Sequence, residues 1–345
     1  MKKICLFSSD ARPLYKRDVF RAMSYPKDFV LHFRYRPVHI EGNPLTFVGK
    51  EGVIFLSMGN DLTIDESLRS ISNRSIREVT IQSCVESLDT GLVHFYLKLG
   101  DFKSYNIANP AITTKPPNKF VAEIELSSGN TISWHQLIEE IKPSFLSYLF
   151  YKFQITDLKG VLIPAEYNSL ENQSFYKLKD ESSYNLHLDF YDTESSTSNN
   201  YHSLKVMTMN EQFVKVVAPE TIDVDARRDN RTLSIFTQTL ASSNSFAYLS
   251  FATIVKLALT ASNPTTSEPT VDTTVKIQLS KNNKRSFGFA FYSVLAALSV
   301  AYAQILTDKF DLDGSFSPSL MFQSLLAISI GFFSAFHLYR LFDKK

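Results

Sequence analysis

Two long apolar runs near the C-terminus constrain this chain most. Phe287–Leu306 reads FGFAFYSVLAALSVAYAQIL, and Leu320–Phe342 reads LMFQSLLAISIGFFSAFHLYRLF. Neither carries a charge before Arg340. An α-helix needs about 20 apolar residues to cross roughly 30 Å of hydrocarbon. The runs therefore predict a transmembrane hairpin of helices 287–306 and 320–342. Lys281, Lys284 and Arg285 precede the first run, and Arg340, Lys344 and Lys345 close the second. The connecting segment TDKFDLDGSFSPS is acidic by comparison. Basic flanks stay on the cytoplasmic side. The expected location is thus the inner (cell) membrane, with two spans and both termini cytoplasmic. Ile4–Phe7, the one apolar stretch near Met1, is too short for a signal-peptide core.

The remaining residues read as β-rich. The 28 Phe and 16 Tyr suit strands. Up to about residue 165, β-like runs appear at Ile4–Ser8, Phe29–Arg36, Gly52–Met58, Ile76–Val85, Leu92–Gly100 and Phe120–Ser127. Arg12–Met23 has helical spacing. Ser133–Ile141 opens on a Ser cap and stops before Pro143, which predicts a short helix. This pattern predicts an α+β domain over 1–165 built on a sheet or small barrel. Seven short strand candidates then follow within 174–280, at Tyr184–Tyr191, Ser203–Met209, Gln212–Val217, Thr221–Ala226, Thr232–Thr239, Phe246–Ala252 and Thr273–Leu279. They predict an immunoglobulin-like β-sandwich, without a Cys…Trp…Cys signature. The apolar segment Ser144–Phe153 is too short to span a membrane and reads as buried. Cys5 and Cys84 fit a reducing compartment as small buried hydrophobes.

Charge is balanced overall, with 36 Lys+Arg against 35 Asp+Glu, but not locally. Residues 1–36 hold nine basic side chains and three acids, nine minus three giving +6. In FVLHFRYR the period of two places Phe29, Leu31, Phe33 and Tyr35 on one face and His32, Arg34 and Arg36 on the other. Arg presents planar paired donors that match phosphate. His32, Arg34 and Arg36, with Arg12, Lys16 and Arg17, are accordingly the candidates for a phosphate-bearing ligand, either a nucleotide or nucleic acid. The alternatives are a solvated face, pairing with the acids of 166–194, and contact with anionic lipid.

Signals for catalysis and metal binding are weak. No HExxH, Cys/His cluster, GxGxxG, Walker loop or GxSxG occurs. The run with Asp223, Asp225 and Asp229 lacks the glycine and terminal glutamate of a calcium loop. No cofactor, metal or catalytic residue is assigned. In the apolar runs, Ser293, Ala297 and Ala301, and likewise Ala327, Gly331 and Ala335, recur every four residues. Small residues at this spacing let helices approach closely, so these six are the candidates for packing within the hairpin or between copies of the chain.

Together these features predict a membrane-anchored, non-enzymatic sensor or effector. Its cytosolic domains would bind a ligand or partner and control assembly of the hairpin over 287–342. Membrane lipid and further copies of the chain are the expected partners. In layout alone this resembles antiviral abortive-infection effectors. The alternatives are a passive membrane tether that recruits a protein or nucleic acid, and a membrane-bound enzyme whose residues, among them His94 and His135, come from distant positions.

Overall fold

The computed structural model describes residues 1–59, 70–107, 119–145, 148–193, 202–217, 219, 221–224, 227–238, 253–262, 269–280, 291–302, 304–305, 322–323, 325–327, 329–334 and 336. Residues 1–280 form one compact unit and 281–345 another.

The first unit begins with a mixed sheet. Its strands are β1 (Lys2–Ser9), β2 (Val30–Tyr35), β3 (Glu51–Met58), β4 (Ser72–Glu86), β5 (Val93–Ser104), β6 (Val121–Glu125) and the short β7 (Asn130–Thr131). The order across the sheet is β2-β5-β4-β3-β1-β6, with β7 beside β5. β1 and β3 run parallel, Ile4 opposite Gly52. Lying in the middle of the sheet, they are covered on both faces, and Ile4–Phe7 and 53–56 are fully buried. β2 is an edge strand, which is why it alternates between buried and exposed side chains.

Helix α1 (Pro13–Ser24) crosses from the end of β1 towards β2. Tyr15 stacks on Tyr35 of the first sheet, whereas Phe20 packs on Phe150 and Tyr151 from the following sheets. The helix is wedged between two β layers, which accounts for its burial of Tyr15, Asp18, Val19, Phe20, Ala22 and Met23. Arg77 of β4 secures its C-terminal end. Its guanidinium donates to the carbonyls of Ala22 at 2.8 Å, Tyr25 at 2.7 Å and Gly100 at 2.7 Å, and lies over the Phe102 ring. A cation at the negative end of a helix is favourable. Helix α2 (Trp134–Ile141) carries the capping box that its sequence announces. The Ser133 hydroxyl accepts from the Gln136 N–H, and the Gln136 side chain accepts from the Ser133 N–H.

Two further sheets complete the unit. Their strands are β8 (Leu149–Asp157), β9 (Ala165–Asn168), β10 (Gln173–Lys179), β11 (Ser183–Asp192), β12 (His202–Thr208), β13 (Val214–Val217), β14 (Thr221–Val224), β15 (Arg228–Thr237), β16 (Thr253–Ser262) and β17 (Pro269–Ser280). One sheet has the order β14-β12-β16-β17-β10-β9, the other β13-β15-β11-β8. They form a sandwich-like pair, and a single hydrophobic core runs from Ile4 to Leu279. β8 and β9, which precede residue 174, belong to this pair, and β10 lies parallel to β17. Phe145 is buried before β8, and Leu149, Phe150, Tyr151 and Phe153 are buried on it, so these apolar residues after Ser144 belong to the core. With strands throughout and only short helices, the chain is mostly β, and the α+β description of its first part gives way to that. Both cysteines are free; Cys5 is buried and Cys84 half-buried.

The membrane hairpin is overturned. Among the described residues no helix is long and apolar enough to cross a membrane. The longest run of described helical residues in the second unit is 291–302. Apolar composition permits a spanning helix without requiring one, and over 287–306 and 320–342 no helix of spanning length is found among the described residues. The two-span placement in a cell membrane falls with the hairpin.

Candidate functional site

The exposed face of β2 and its continuation hold the strongest cluster. Phe29, Leu31, Phe33 and Tyr35 are buried, whereas His32, Arg34 and Arg36 are exposed. Antiparallel pairing sets Tyr96 opposite His32 and His94 opposite Arg34. Residues opposite each other share a face, so His94 and Tyr96 join the row.

His32 Nε2 lies 2.7 Å from His94 Nδ1. The ring planes differ by 9° and the centroids are 4.8 Å apart. Nearly coplanar rings therefore meet head on, and one N–H donates to the other ring's bare nitrogen. Nε2 of His94 is buried with no hydrogen-bond partner among the described residues. The His32 ring also lies against Tyr96, at 5.2 Å. This packing desolvates the imidazole and pushes its pKa down to about 4, with His94, Arg34 and Arg21 adding repulsion.

A second group of cations gathers where the row ends. His39 sits in the turn after β2, and its pKa is lowered by burial and then by Arg12, Arg36 and Lys119. The His39 ring meets Phe120 edge-on at 5.2 Å. Phe120 stacks on Tyr15 at 5.9 Å, and Arg12 lies over the Tyr15 ring at 5.9 Å. Lys119 donates to the Val38 carbonyl at 2.7 Å. Arg12 is also the N-cap of α1, where no side chain caps the helix and no acid occupies the first turn. The positive end of the helix dipole adds to the cluster.

The six candidate ligand residues therefore divide. Arg12 and Arg36, with Lys119, each act on the charge of His39. His32 and Arg34 join His94 and Tyr96. Lys16 goes elsewhere: half-buried, it lies 5.2 Å over the Phe145 ring and 5.1 Å over Tyr148. Burial lowers its pKa, and Asp10 opposes that shift. Arg17 is exposed on the Tyr148 side. Among the described residues no carboxylate lies within ion-pair distance of Arg12, Arg17, Arg34 or Arg36, in contrast to Arg21, which reaches Asp18 and Asp272. Asp18 is the nearby acid. It is buried, and burial raises its carboxyl to about 6 against the pull of Arg21, Arg34 and Arg17. His39, His94 and Lys119 escape a reading of local sequence because only the sheet register and the turn after β2 bring them to the row.

The other candidate positions are dispersed. His135 lies near Tyr191, far along the chain from His94. Asp229 pairs with Arg231, Asp223 is exposed on β14, and Asp225 lies outside the described residues. Among the described residues no group of three or more side chains is arranged to hold a metal. In the second unit Ser293 is half-buried, Ala297 and Ala301 are exposed, and Ala327 is buried. Ser299 is the residue that meets Gly331, where a Cβ would lie 3.2 Å from the Ser299 Oγ. Ala335 lies outside the described residues.

No protein-family model matches this chain, and no curated protein does. Among solved structures, the adhesin InvE of Yersinia pseudotuberculosis aligns with 81 % of this chain at 11 % identity and a TM-score of 0.18. The alignment spans 58 % of that adhesin's length. A likeness at that score carries no argument about fold or function.

Proposed function

We propose that residues 1–280 form a binding module for a phosphate-bearing ligand, used for sensing or recruitment rather than turnover. The observation that carries this reading is the exposed row of His32, Arg34 and Arg36, with Arg12 and Lys119 acting on His39 at the turn that follows; among the described residues none of these arginines lies within ion-pair distance of a carboxylate. A solvated arginine costs nothing, but several cations that act on one imidazole, itself lowered first by burial and then by them, also repel one another. Binding an anion relieves that repulsion, and arginine forks supply directed donors to phosphate oxygens. Titration calorimetry of the full chain with inorganic pyrophosphate tests the reading. Saturable binding that weakens on Arg36→Ala supports it. Heat of dilution alone at low salt would sink it.

A further inference from the structure

We infer that the ligand is a single-stranded oligonucleotide laid along β2, with successive phosphates on Arg34, Arg36 and the Arg12–Lys119 group. This rests on the phosphate reading above and narrows it.

The first support is spacing. Alternate residues of a strand lie about 6.7 Å apart, so His32 to Arg36 extends about 13 Å in a straight line. That step is comparable to the separation of neighbouring phosphates in an extended single strand. A compact phosphate would use one arginine and leave the others unused, whereas an extended polyanion meets each in turn. Past Arg36, Lys119 donates to the Val38 carbonyl at 2.7 Å, which sets a further cation at the turn where β2 ends.

The second support is accessibility. β2 ends the first sheet, and no strand of that sheet lies beyond it. Among the described residues its backbone is hydrogen-bonded from outside the sheet at Val30, where the Ser174 hydroxyl accepts from the Val30 N–H at 2.9 Å and donates to the Val30 carbonyl at 3.3 Å.

The third support is the aromatic surface beside the row. Tyr96 is half-buried on the same face and lies against His32. Tyr167 stands near it, its hydroxyl held by Asn172 at 2.7 Å and Ser83 at 3.2 Å. A cationic track beside π-faces is how sheets hold single strands, because every base can stack whatever its identity.

The test is fluorescence anisotropy of the full chain with labelled oligothymidylates of about two to ten nucleotides, with inorganic pyrophosphate as the comparison probe. Affinity should climb with length up to about four nucleotides and then level. Three phosphate contacts give a slope of about −2 in log affinity against log salt. Arg34→Ala and Arg36→Ala should each weaken binding about tenfold. Lys177→Ala, on β10 beside Glu166, should leave it unchanged. Because Arg34 and Arg36 are exposed, circular dichroism should show both variants folded. Pyrophosphate binding as tightly as any oligonucleotide overturns the inference and leaves the phosphate reading standing. Tighter binding of a hairpin duplex also overturns it. Binding of neither probe overturns both.

Discussion

The Tyr25 hydroxyl donates to the Thr274 carbonyl at 2.8 Å and accepts from the Thr274 N–H at 3.1 Å. This reciprocal pair ties the end of α1 to β17 across 249 residues of chain. It fills the stretch of β17 that precedes its pairing with β10, which begins at Ile277. Tyr25→Phe keeps the ring on Phe29, 4.1 Å away, and removes both hydrogen bonds. The expected loss is about 1–3 kcal/mol, measured by urea unfolding. An unchanged midpoint would show that the two layers are joined by packing alone.

Arg77 predicts a larger loss. It is 2 % exposed, and burial pushes its pKa down to about 9 against the pull of Asp101 and Asp28. Arg77→Met keeps most of the volume but leaves the carbonyls of Ala22, Tyr25 and Gly100 without their donor. Each unpaired buried carbonyl costs about 1–3 kcal/mol, so roughly 3 kcal/mol or more should vanish. Arg77→Lys should recover only part, because an ammonium lacks the fork. Thermal denaturation of the three proteins checks the order.

Asp18 makes stability depend on pH. Its carboxyl titrates near 6 when folded and near 3.8 when exposed. Between those values the native state holds more proton than the unfolded chain, so stability falls as pH rises through the window. Asp18→Asn should therefore stabilise the protein at pH 8, by at most roughly 3 kcal/mol. The gain should shrink to nothing near pH 3. Chemical denaturation at the two pH values measures it, and an equal effect at both would refute the assignment.

The imidazole pair predicts proton uptake on binding. Free His32 titrates near 4 and is neutral at pH 7. A phosphate beside it favours the charged ring and raises that value. Affinity for pyrophosphate should then increase as pH falls from 7 towards 5, and His32→Gln should flatten the profile. Calorimetry in two buffers of different ionisation enthalpy counts the protons directly. A profile equally steep in the variant would place the proton elsewhere.

Most strands of the first sheet are legible in the sequence because β2 and β5 alternate and β1 and β3 are short continuous apolar runs. Both helices are legible from spacing and from the Ser133 cap. β8 is not, since its aromatic run Leu149–Tyr151 is buried at consecutive positions and shows no period. β16 hides for another reason. Val255, Leu257, Leu259 and Ala261 are buried, but Ile254 and Ala258 fill outward positions and blur the alternation. The expected strand at 246–252 lies outside the described residues. Half of the candidate site follows from local pattern, as the exposed row on β2 shows. Its other half depends on which strand lies beside which, and a period of two is silent about neighbours. The apolar C-terminal runs predicted spans because hydropathy reports composition, and among the described residues no helix long enough to span accompanies it.

β17 lies between β10 and β16 and also receives Tyr25. During vectorial synthesis all three must wait for the last strand of their unit to leave the ribosome. At about 5–20 residues per second, the 249 residues between Tyr25 and Thr274 take about 10 to 50 seconds to make. Throughout that interval one flank of α1 lacks its cover, and from its own synthesis until β17 emerges β10 presents an open edge, as β16 does for a shorter time. A nascent chain stalled before residue 269 should accordingly be a client of chaperones that shield unpaired strands, and one released after Ser280 should not.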